Sequence, residues 1–337
     1  MKSLFPGHYR PSEKEFTDMW ENALFVLDTS VLLDLYRYSD ETVKTLLSVI
    51  ESLKDRIWIP YHVSKEYHQN LTSIISSQVK KYQDTIKTLT DFKSQIEEKR
   101  NHPFLSSELH EEINVFCNKF ETELDNKKEL VTSLILDNPI KEKLAQLLKD
   151  NIGDPIPENE LKELYKEGSE RYKKKIPPGY MDSTSKPGNE KFGDFIIWKE
   201  ILKKNSEIES PLILVTGDRK EDWFLKEMGL TVGPRPELIE EFLAIKNNSY
   251  YCYSTDSFLQ YVKEYFEIEI NDKILEEVGE FIKQQPTSNE AIKESYSSSE
   301  SHDPSLTYDS ESKSTLNPQT TSTEQDLDTK SENDRNE

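Results

Sequence analysis

The chain has 337 residues, a hydrophobic fraction of 34% and a formal net charge of −21. It contains no apolar run long enough for a membrane-spanning helix, and its first residues lack the apolar stretch of a signal peptide. Its two cysteines, Cys117 and Cys252, are too few for a disulfide framework or a cysteine metal cage, so a cytoplasmic location is predicted.

Short apolar strands alternate with helices in the first 70 residues. Residues 23–27 predict a strand that ends at Asp28, and residues 57–60 predict a second strand, followed by a helix that carries Glu66. Apolar side chains at helical spacing over 43–53 predict the crossover helix between them. Short, fully apolar strands joined by helices indicate a parallel sheet that is covered on both faces.

A helical block, about residues 71–170, interrupts this pattern. Apolar residues spaced mostly three and four apart over 75–96 and 109–124 predict two helices with narrow seams of coiled-coil type. A break near Pro103 separates them, and Pro139 ends the second helix. We predict an antiparallel helical hairpin, inserted into the α/β domain, that governs substrate choice or self-association rather than chemistry.

The α/β pattern resumes near Lys191. Gly193-Asp194 opens a helix, residues 211–216 form a third predicted strand ending at Gly217-Asp218, and 250–253 form a last strand before a helix over 257–262. We therefore place one domain at 1–284. Residues 285–337 contain 12 acidic and 4 basic side chains and hardly any apolar ones, which predicts a disordered tail.

Acidic residues lie where these strands end or the following helices begin. The four principal candidates are Asp28, Glu66, Asp194 and Asp218, and two weaker ones are Asp182 and Asp222. Parallel sheets bind ligands beyond the carboxyl ends of their strands. Carboxylates gathered there repel one another unless a cation lies between them, and hard oxygen ligands suit Mg²⁺ or Mn²⁺.

Each acid also has a simpler interpretation. Asp28 and Asp194 suit helix N-termini, Asp218 suits a turn, and Glu66 suits a solvated helix face. Asp182 lies in a predicted loop, and Asp222 suits the first turn of a helix.

The residues around these acids resemble the PIN nuclease domain. The resemblance begins at Asp28-Thr29-Ser30 after an apolar strand and continues through 56–60, Glu66, Gly193-Asp194 and 215–218. Segments 5–11 and 233–238 resemble a longer bacterial variety with a helical insertion. Many of those longer proteins have Asn where this chain has Ser30. The resemblance covers roughly residues 5–265, in family order.

This resemblance implies a three-layer α/β/α domain with a mainly parallel sheet and a metal-dependent nuclease activity. RNA is implied as the substrate more strongly than DNA. By position, the implied metal ligands are Asp28, Glu66, Asp194 and Asp218. Thr29 or Ser30 would orient a ligand or contact the scissile phosphate.

One basic stretch lies between residues 162 and 191 and includes Lys173, Lys174 and Lys175. Its position beside the third acid suggests a clamp on a nucleic-acid backbone, since cationic side chains supply most sequence-independent affinity. Lysine runs are also common on solvated surfaces, so both interpretations stay open.

Two other families share parts of the pattern. Residues 217–222 fit the Gly-Asp-x-x-x-Asp motif of haloacid-dehalogenase-type phosphohydrolases, but Ser30 stands where their second aspartate belongs. Asp28 and Ser30 fit the start of a von Willebrand A adhesion motif, but Leu32 replaces its second serine. A DNA nuclease of the same fold and an inactive PIN scaffold are further alternatives.

Overall fold

The computed structural model describes residues 1–2, 4–98 and 105–284, with a parallel β-sheet at its centre. The strands of this part of the chain are β1 (Leu24–Leu27), β2 (Ile57–Trp58), β3 (Leu212–Thr216), β4 (Phe224–Glu227), β5 (Leu230–Pro234) and β6 (Tyr250–Ser254). Four of them pair in parallel in the order β2-β1-β3-β6, and β4 pairs with β5 in antiparallel orientation. The predicted α/β class with a mainly parallel sheet is confirmed.

Helices cover the sheet and extend beyond it. They are α1 (Glu13–Asn22), α2 (Thr29–Asp34), α3 (Asp40–Ser52), α4 (Tyr61–Glu97), α5 (Ser107–Ser133), α6 (Pro139–Leu148), α7 (Glu158–Lys173), α8 (Gly193–Glu207), α9 (Pro236–Ile245), α10 (Thr255–Tyr265) and α11 (Asp272–Lys283). Among the helices of the described residues, none is sufficiently long and apolar to cross a membrane.

The centre of the sheet places two of the candidate acids side by side. Every residue of β3 is buried, as are the last three of β1, which explains their uninterrupted apolar sequence. β2 lies on one side of β1 and β3 on the other, so the chain reverses its direction of winding between β1 and β3. The crevice at such a switch point is the usual ligand site of an open α/β sheet. Asp28 and Asp218 follow β1 and β3 into this crevice.

The helical block begins as a direct continuation of the sheet. α4 starts three residues after β2 and buries Val63 and Tyr67 in the core before it extends away. α5 runs back along α4, because Lys93 Nζ donates to Asn118 Oδ1 at 2.9 Å while Phe120 lies beside Leu89. The predicted hairpin is present, and its coiled-coil character stays a prediction.

Pro139 separates two helices in an unexpected way. It follows the end of α5, as predicted, but it is also the first residue of α6, where a missing N–H costs nothing. Asn138 caps α6 by accepting a hydrogen bond from Lys141 N at 2.9 Å. Leu144 and Leu148 of α6 then pack into the main core.

Two elements were absent from the sequence predictions. The β4–β5 hairpin contacts β6, and α11 buries Ile274, Val278 and Ile282 in the main core. The predicted break near Pro103 and the predicted disordered tail at 285–337 both lie outside the described residues.

Candidate metal centre

Asp28 directs its carboxylate across the sheet and not into the helix that follows it. Asp28 Oδ2 accepts hydrogen bonds from Ser30 Oγ at 2.6 Å and from Thr216 Oγ1 at 2.8 Å. It precedes α2, yet its side chain makes no capping hydrogen bond to that helix. Burial raises the pKa of Asp28 despite the two hydroxyl donors, and Glu66 and Asp218 raise it further. The capping interpretation of Asp28 is therefore wrong.

Glu66 faces the same crevice from the second turn of α4. Glu66 Oε2 accepts from Thr29 Oγ1 at 2.8 Å, and Glu66 Oε1 lies 3.5 Å from His62 Nε2. Gly193 packs directly against this carboxylate, because a Cβ at residue 193 would overlap with Glu66 Oε1. Burial raises the pKa of Glu66, but His62, Thr29 and Lys186 together bring it below its usual value.

Asp194 enters the crevice from the first turn of α8. Its Oδ2 atom is buried and has no hydrogen-bond partner within the described residues. Burial raises the pKa of Asp194 well above its usual range, and Asp182 and Asp218 add to the shift. A carboxylate that is buried without a donor requires a cation or a proton.

Asp218 closes the turn after β3. Asp218 Oδ1 accepts from Lys220 N at 2.7 Å, and Asp218 N donates to Thr216 Oγ1 at 3.0 Å. Thr216 therefore links the backbone of Asp218 to the carboxylate of Asp28. The turn interpretation of Asp218 is correct for Oδ1, while Oδ2 contacts a lysine.

Two lysines lie among the acids. Lys220 Nζ is 2.6 Å from Asp182 Oδ1 and 2.8 Å from Asp218 Oδ2, and Lys186 Nζ is 2.6 Å from Asp182 Oδ2. Burial raises the pKa of Asp182, but the two ammonium groups outweigh it and lower that pKa below its usual value. Burial lowers the pKa of Lys220, but Asp194, Asp218 and Asp182 raise it well above its usual range.

Asp222 supports the loop that carries Asp182. It is fully buried, and its Oδ2 atom accepts from Met181 N at 3.0 Å. Burial raises the pKa of Asp222 to about 6, and the backbone donor partly offsets this shift. Asp222 therefore tethers the loop that carries Asp182.

Several neighbours of the acids were not singled out from the sequence. Asp34 is buried on α2, accepts from Arg37 Nη1 at 2.7 Å, and lies against Gly217, where a Cβ would come within 2.9 Å of Asp34 Oδ2. The available signal was spacing, because Asp34 follows Ser30 by four residues, which places both on one helix face. His62 precedes Glu66 by the same interval.

The carboxylate oxygens of these acids are the type of ligand that binds a hard divalent cation. Over residues 1–2, 4–98 and 105–284, no three Asp, Glu, His or Cys side chains are spaced to enclose a metal ion. However, Asp28, Glu66, Asp194 and Asp218 converge from four elements, and burial leaves Asp194 Oδ2 without a donor. Mutual repulsion contributes to the raised pKa values of Asp28 and Asp194, and a hard dication would relieve it.

The comparison with protein families agrees with this geometry. A family model described as a PIN like domain matches residues 24–238, nearly two thirds of the chain. The chain belongs to the PIN-like domain family. No curated protein and no solved structure gave a match.

Membership of the PIN-like family confirms the resemblance seen in the sequence. PIN-like domains belong to a superfamily of nucleases that generally require divalent metal ions. The matched segment runs from β1 into α9, so it contains all four principal acids and the helical block.

The residues predicted to bind substrate occupy two different places in the PIN-like domain. Thr29 and Ser30 lie inside the crevice, bonded to Glu66 and Asp28. The run 173–175 lies at the end of α7 and is exposed, and Lys173 pairs with Glu170 at 2.6 Å. In the described part of the chain, these three lysines form no ion pair with the four principal acids.

Proposed function

We propose that this PIN-like protein is an endonuclease that hydrolyses phosphodiester bonds with Mg²⁺ or Mn²⁺. The supporting observation is the convergence of Asp28, Glu66, Asp194 and Asp218 from β1, α4, α8 and β3 at the switch point of the sheet. The proposed ligands are these four residues. Single-stranded or structured RNA is the proposed substrate, with DNA as the alternative.

The bound cation would stabilise charge on the phosphate and lower the pKa of an attacking water. The chain's own residues hold the ligands for it. Ser30 and Thr216 fix the Asp28 carboxylate by hydrogen bonds of 2.6 and 2.8 Å. The Thr29 hydroxyl donates a hydrogen bond to Glu66 Oε2 at 2.8 Å and so fixes that carboxylate. These hydroxyls keep the carboxylates oriented toward the crevice, where the scissile phosphate would lie.

The haloacid-dehalogenase alternative finds no support in the environment of Asp28. That chemistry requires Asp28 as nucleophile and a second acid at the position of Ser30. Ser30 instead donates to Asp28 Oδ2 at 2.6 Å, which makes that oxygen a weaker nucleophile.

Two further features are proposed as aids to substrate selection. The α4–α5 hairpin would contact nucleic acid or a second copy of the chain, and its exposed Phe116 and Val115 support such a contact. The lysines at 173–175 would bind the backbone outside the crevice. A cytoplasmic location is proposed on the same basis as before, the small number of cysteines.

Cleavage of matched labelled RNA and DNA oligonucleotides, with Mn²⁺ or with chelator, tests the proposal. We expect metal-dependent cleavage by the wild type, and at least a hundredfold loss in Asp28→Asn and Asp218→Asn, as expected when a group that stabilises transition-state charge is removed. Asp272→Asn is the matched control, because Asp272 is exposed and pairs with Lys263 on the surface.

Circular dichroism would establish that the variants remain folded. Full activity in both Asp28→Asn and Asp218→Asn would contradict the assigned ligands. Cleavage of DNA alone would contradict the preference for RNA, and hydrolysis of only a generic phosphomonoester would favour the haloacid-dehalogenase alternative.

A further inference from the structure

A single carboxylate in the crevice holds two ammonium groups. Asp182 Oδ1 contacts Lys220 Nζ and Asp182 Oδ2 contacts Lys186 Nζ, both at 2.6 Å. Lys220 Nζ also lies 2.8 Å from Asp218 Oδ2. Both carboxylate oxygens of Asp182 therefore face lysine ammonium groups.

We propose that Asp182 is a positioning residue and not a metal ligand. It holds Lys186 and Lys220 as fixed cations that bind phosphate oxygens of the substrate backbone. This inference rests on the proposed nuclease function and assigns the groups that bring the phosphodiester to Asp194 and Asp218.

Differences in burial support this assignment. The Asp182 side chain is only 5% exposed, whereas Lys220 is 25% exposed and Lys186 is 42% exposed. A ligand that arrives from solvent therefore meets the lysines before it meets the acid. A lysine ammonium carries three N–H donors, and the two carboxylates occupy two of those on Lys220. The third remains for an incoming oxygen.

The loop around Asp182 is tethered at several points. Asp182 N donates to Gly179 O at 3.1 Å, and Lys186 N donates to Asp182 O at 3.2 Å. Met181 N donates to the buried carboxylate of Asp222 at 3.0 Å. Because the loop is fixed by these bonds, the two ammonium groups require little reorganisation when a phosphate arrives.

The charge of the whole chain makes such local cations necessary. A protein with a net charge of −21 repels a polyanion at long range. The lysines at 173–175 are exposed, and Lys173 is already paired with Glu170. Lys186 and Lys220, in contrast, lie beside the acids at which the scissile phosphate would be held.

Binding of a fluorescein-labelled single-stranded RNA in EDTA tests this inference without cleavage or metal. Anisotropy is measured as a function of salt for the wild type, Lys186→Gln, Lys220→Gln and Asp182→Asn. Each lysine variant should lower affinity about fivefold at about 0.1 M salt and reduce the salt slope by about 0.7, the value for one phosphate contact on a single strand. Lys220→Arg should retain affinity.

Asp182→Asn is the decisive variant, because RNA affinity should change in opposite directions if Asp182 acts only as a negative charge and if it positions the two lysines. Loss of a negative charge by itself would strengthen the binding of RNA. A positioning role predicts at least fivefold weaker binding, because Lys186 loses the carboxylate that holds it and Lys220 keeps only its contact with Asp218. Calorimetric titration with Mn²⁺ alone should show unchanged metal affinity in this variant. Lys263→Gln is the matched control for an exposed ion pair with Asp272.

RNA binding by Asp182→Asn that equals or exceeds that of the wild type would overturn the inference. So would unaltered RNA affinity in Lys186→Gln, whose side chain is 42% exposed, or the absence of measurable binding by the wild type. Absence of Mn²⁺-dependent cleavage by the wild type would instead overturn the proposed nuclease function, and the binding results would stand separately.

Discussion

At the scale of single residues, buried carboxyl groups dominate the electrostatics of the sheet edge. Burial raises the pKa values of Asp28 and Asp194, and it raises that of Asp222 to about 6. Protons and metal ions compete for such groups, because a ligand must be deprotonated to bind. The metal affinity of the crevice should therefore decrease as the pH falls.

Glu200, on α8, provides a test of burial at a residue that is not one of the proposed metal ligands. It is 6% exposed, its Oε2 atom accepts from His62 N at 3.0 Å, and its Oε1 atom is buried without a hydrogen-bond partner among the described residues. Burial raises the pKa of Glu200 from 4.5 to about 7, and the hydrogen bond from His62 only partly opposes this. Ionised Glu200 therefore destabilises the fold.

We expect Glu200→Gln to stabilise the protein only at higher pH. Between about pH 4.5 and pH 7 the unfolded chain loses the Glu200 proton while the folded chain keeps it, so wild-type stability falls as pH rises through this window. Above about pH 7, the ionised carboxylate lowers the free energy of unfolding by on the order of 3 kcal/mol. A glutamine at residue 200 is neutral and can still accept the hydrogen bond from His62, so it avoids this loss. Metal-free thermal unfolding near pH 5 and pH 8 measures this difference.

Glu207→Gln is the control for this experiment, since Glu207 is an exposed acid on the same helix. An equal effect of Glu200→Gln at both pH values would show that Glu200 does not titrate in this window.

At the scale of elements, the crevice depends on how closely α8 approaches α4. The approach occurs at Gly193, where a Cβ would overlap with Glu66 Oε1, and His62 Nε2 lies 3.7 Å from the same point. Glu200, further along α8, accepts from the backbone of His62 at the start of α4. The contacts of Gly193 and Glu200 both come from α8, and together they set the position of the α4 turn that carries Glu66.

We expect Gly193→Ala to weaken Mn²⁺ binding with little loss of stability. The added methyl group displaces the Glu66 carboxylate, which is the mobile end of a side chain, while alanine favours the helix by up to about 1 kcal/mol over glycine. Calorimetric titration with Mn²⁺ measures the affinity, and thermal unfolding measures the stability.

Gly279→Ala on α11 is the matched control, because a Cβ at residue 279 meets no atom of the described residues within 4 Å. Unchanged Mn²⁺ affinity in Gly193→Ala would remove Glu66 from the set of proposed ligands.

At the scale of the whole molecule, the core extends to α11. Ile274, Val278 and Ile282 are buried against the main core, and Glu277 accepts from Ser39 Oγ at 2.7 Å. The segment that follows, 285–337, has hardly any apolar residues with which to dock. The two segments should therefore contribute very differently to stability.

Truncation after Gln284 should leave both the melting temperature and the cleavage rate nearly unchanged. Truncation after Asn271 should lower the melting temperature strongly, because it removes three aliphatic side chains that are buried against the core, each worth about 1.5–3 kcal/mol. Scanning calorimetry of both truncated proteins measures the contrast. A melting temperature several degrees lower in the protein truncated after Gln284 would contradict the prediction.

The amino-acid sequence by itself determined the family, the parallel sheet and the candidate acids. These follow from local patterns: uninterrupted apolar runs predict β1 and β3, and acids after those runs predict positions at the carboxyl edge. Helical periodicity likewise predicted α3 and the α4–α5 hairpin. The β4–β5 hairpin was missed because both strands are largely exposed, with one buried residue in each, so neither an apolar run nor a buried face marks it.

Only the tertiary structure decided which groups meet in the crevice. Lys220 contacts Asp182 from 38 residues away, Gly193 lies against Glu66 from a separate helix, and the helix that contains Ser30 also buries Asp34. Such contacts depend on the distance and angle at which separate elements pack, and a pattern along one element carries no information about either. Asp182 is a weaker candidate ligand in the sequence, and the fold places a lysine at each of its carboxylate oxygens.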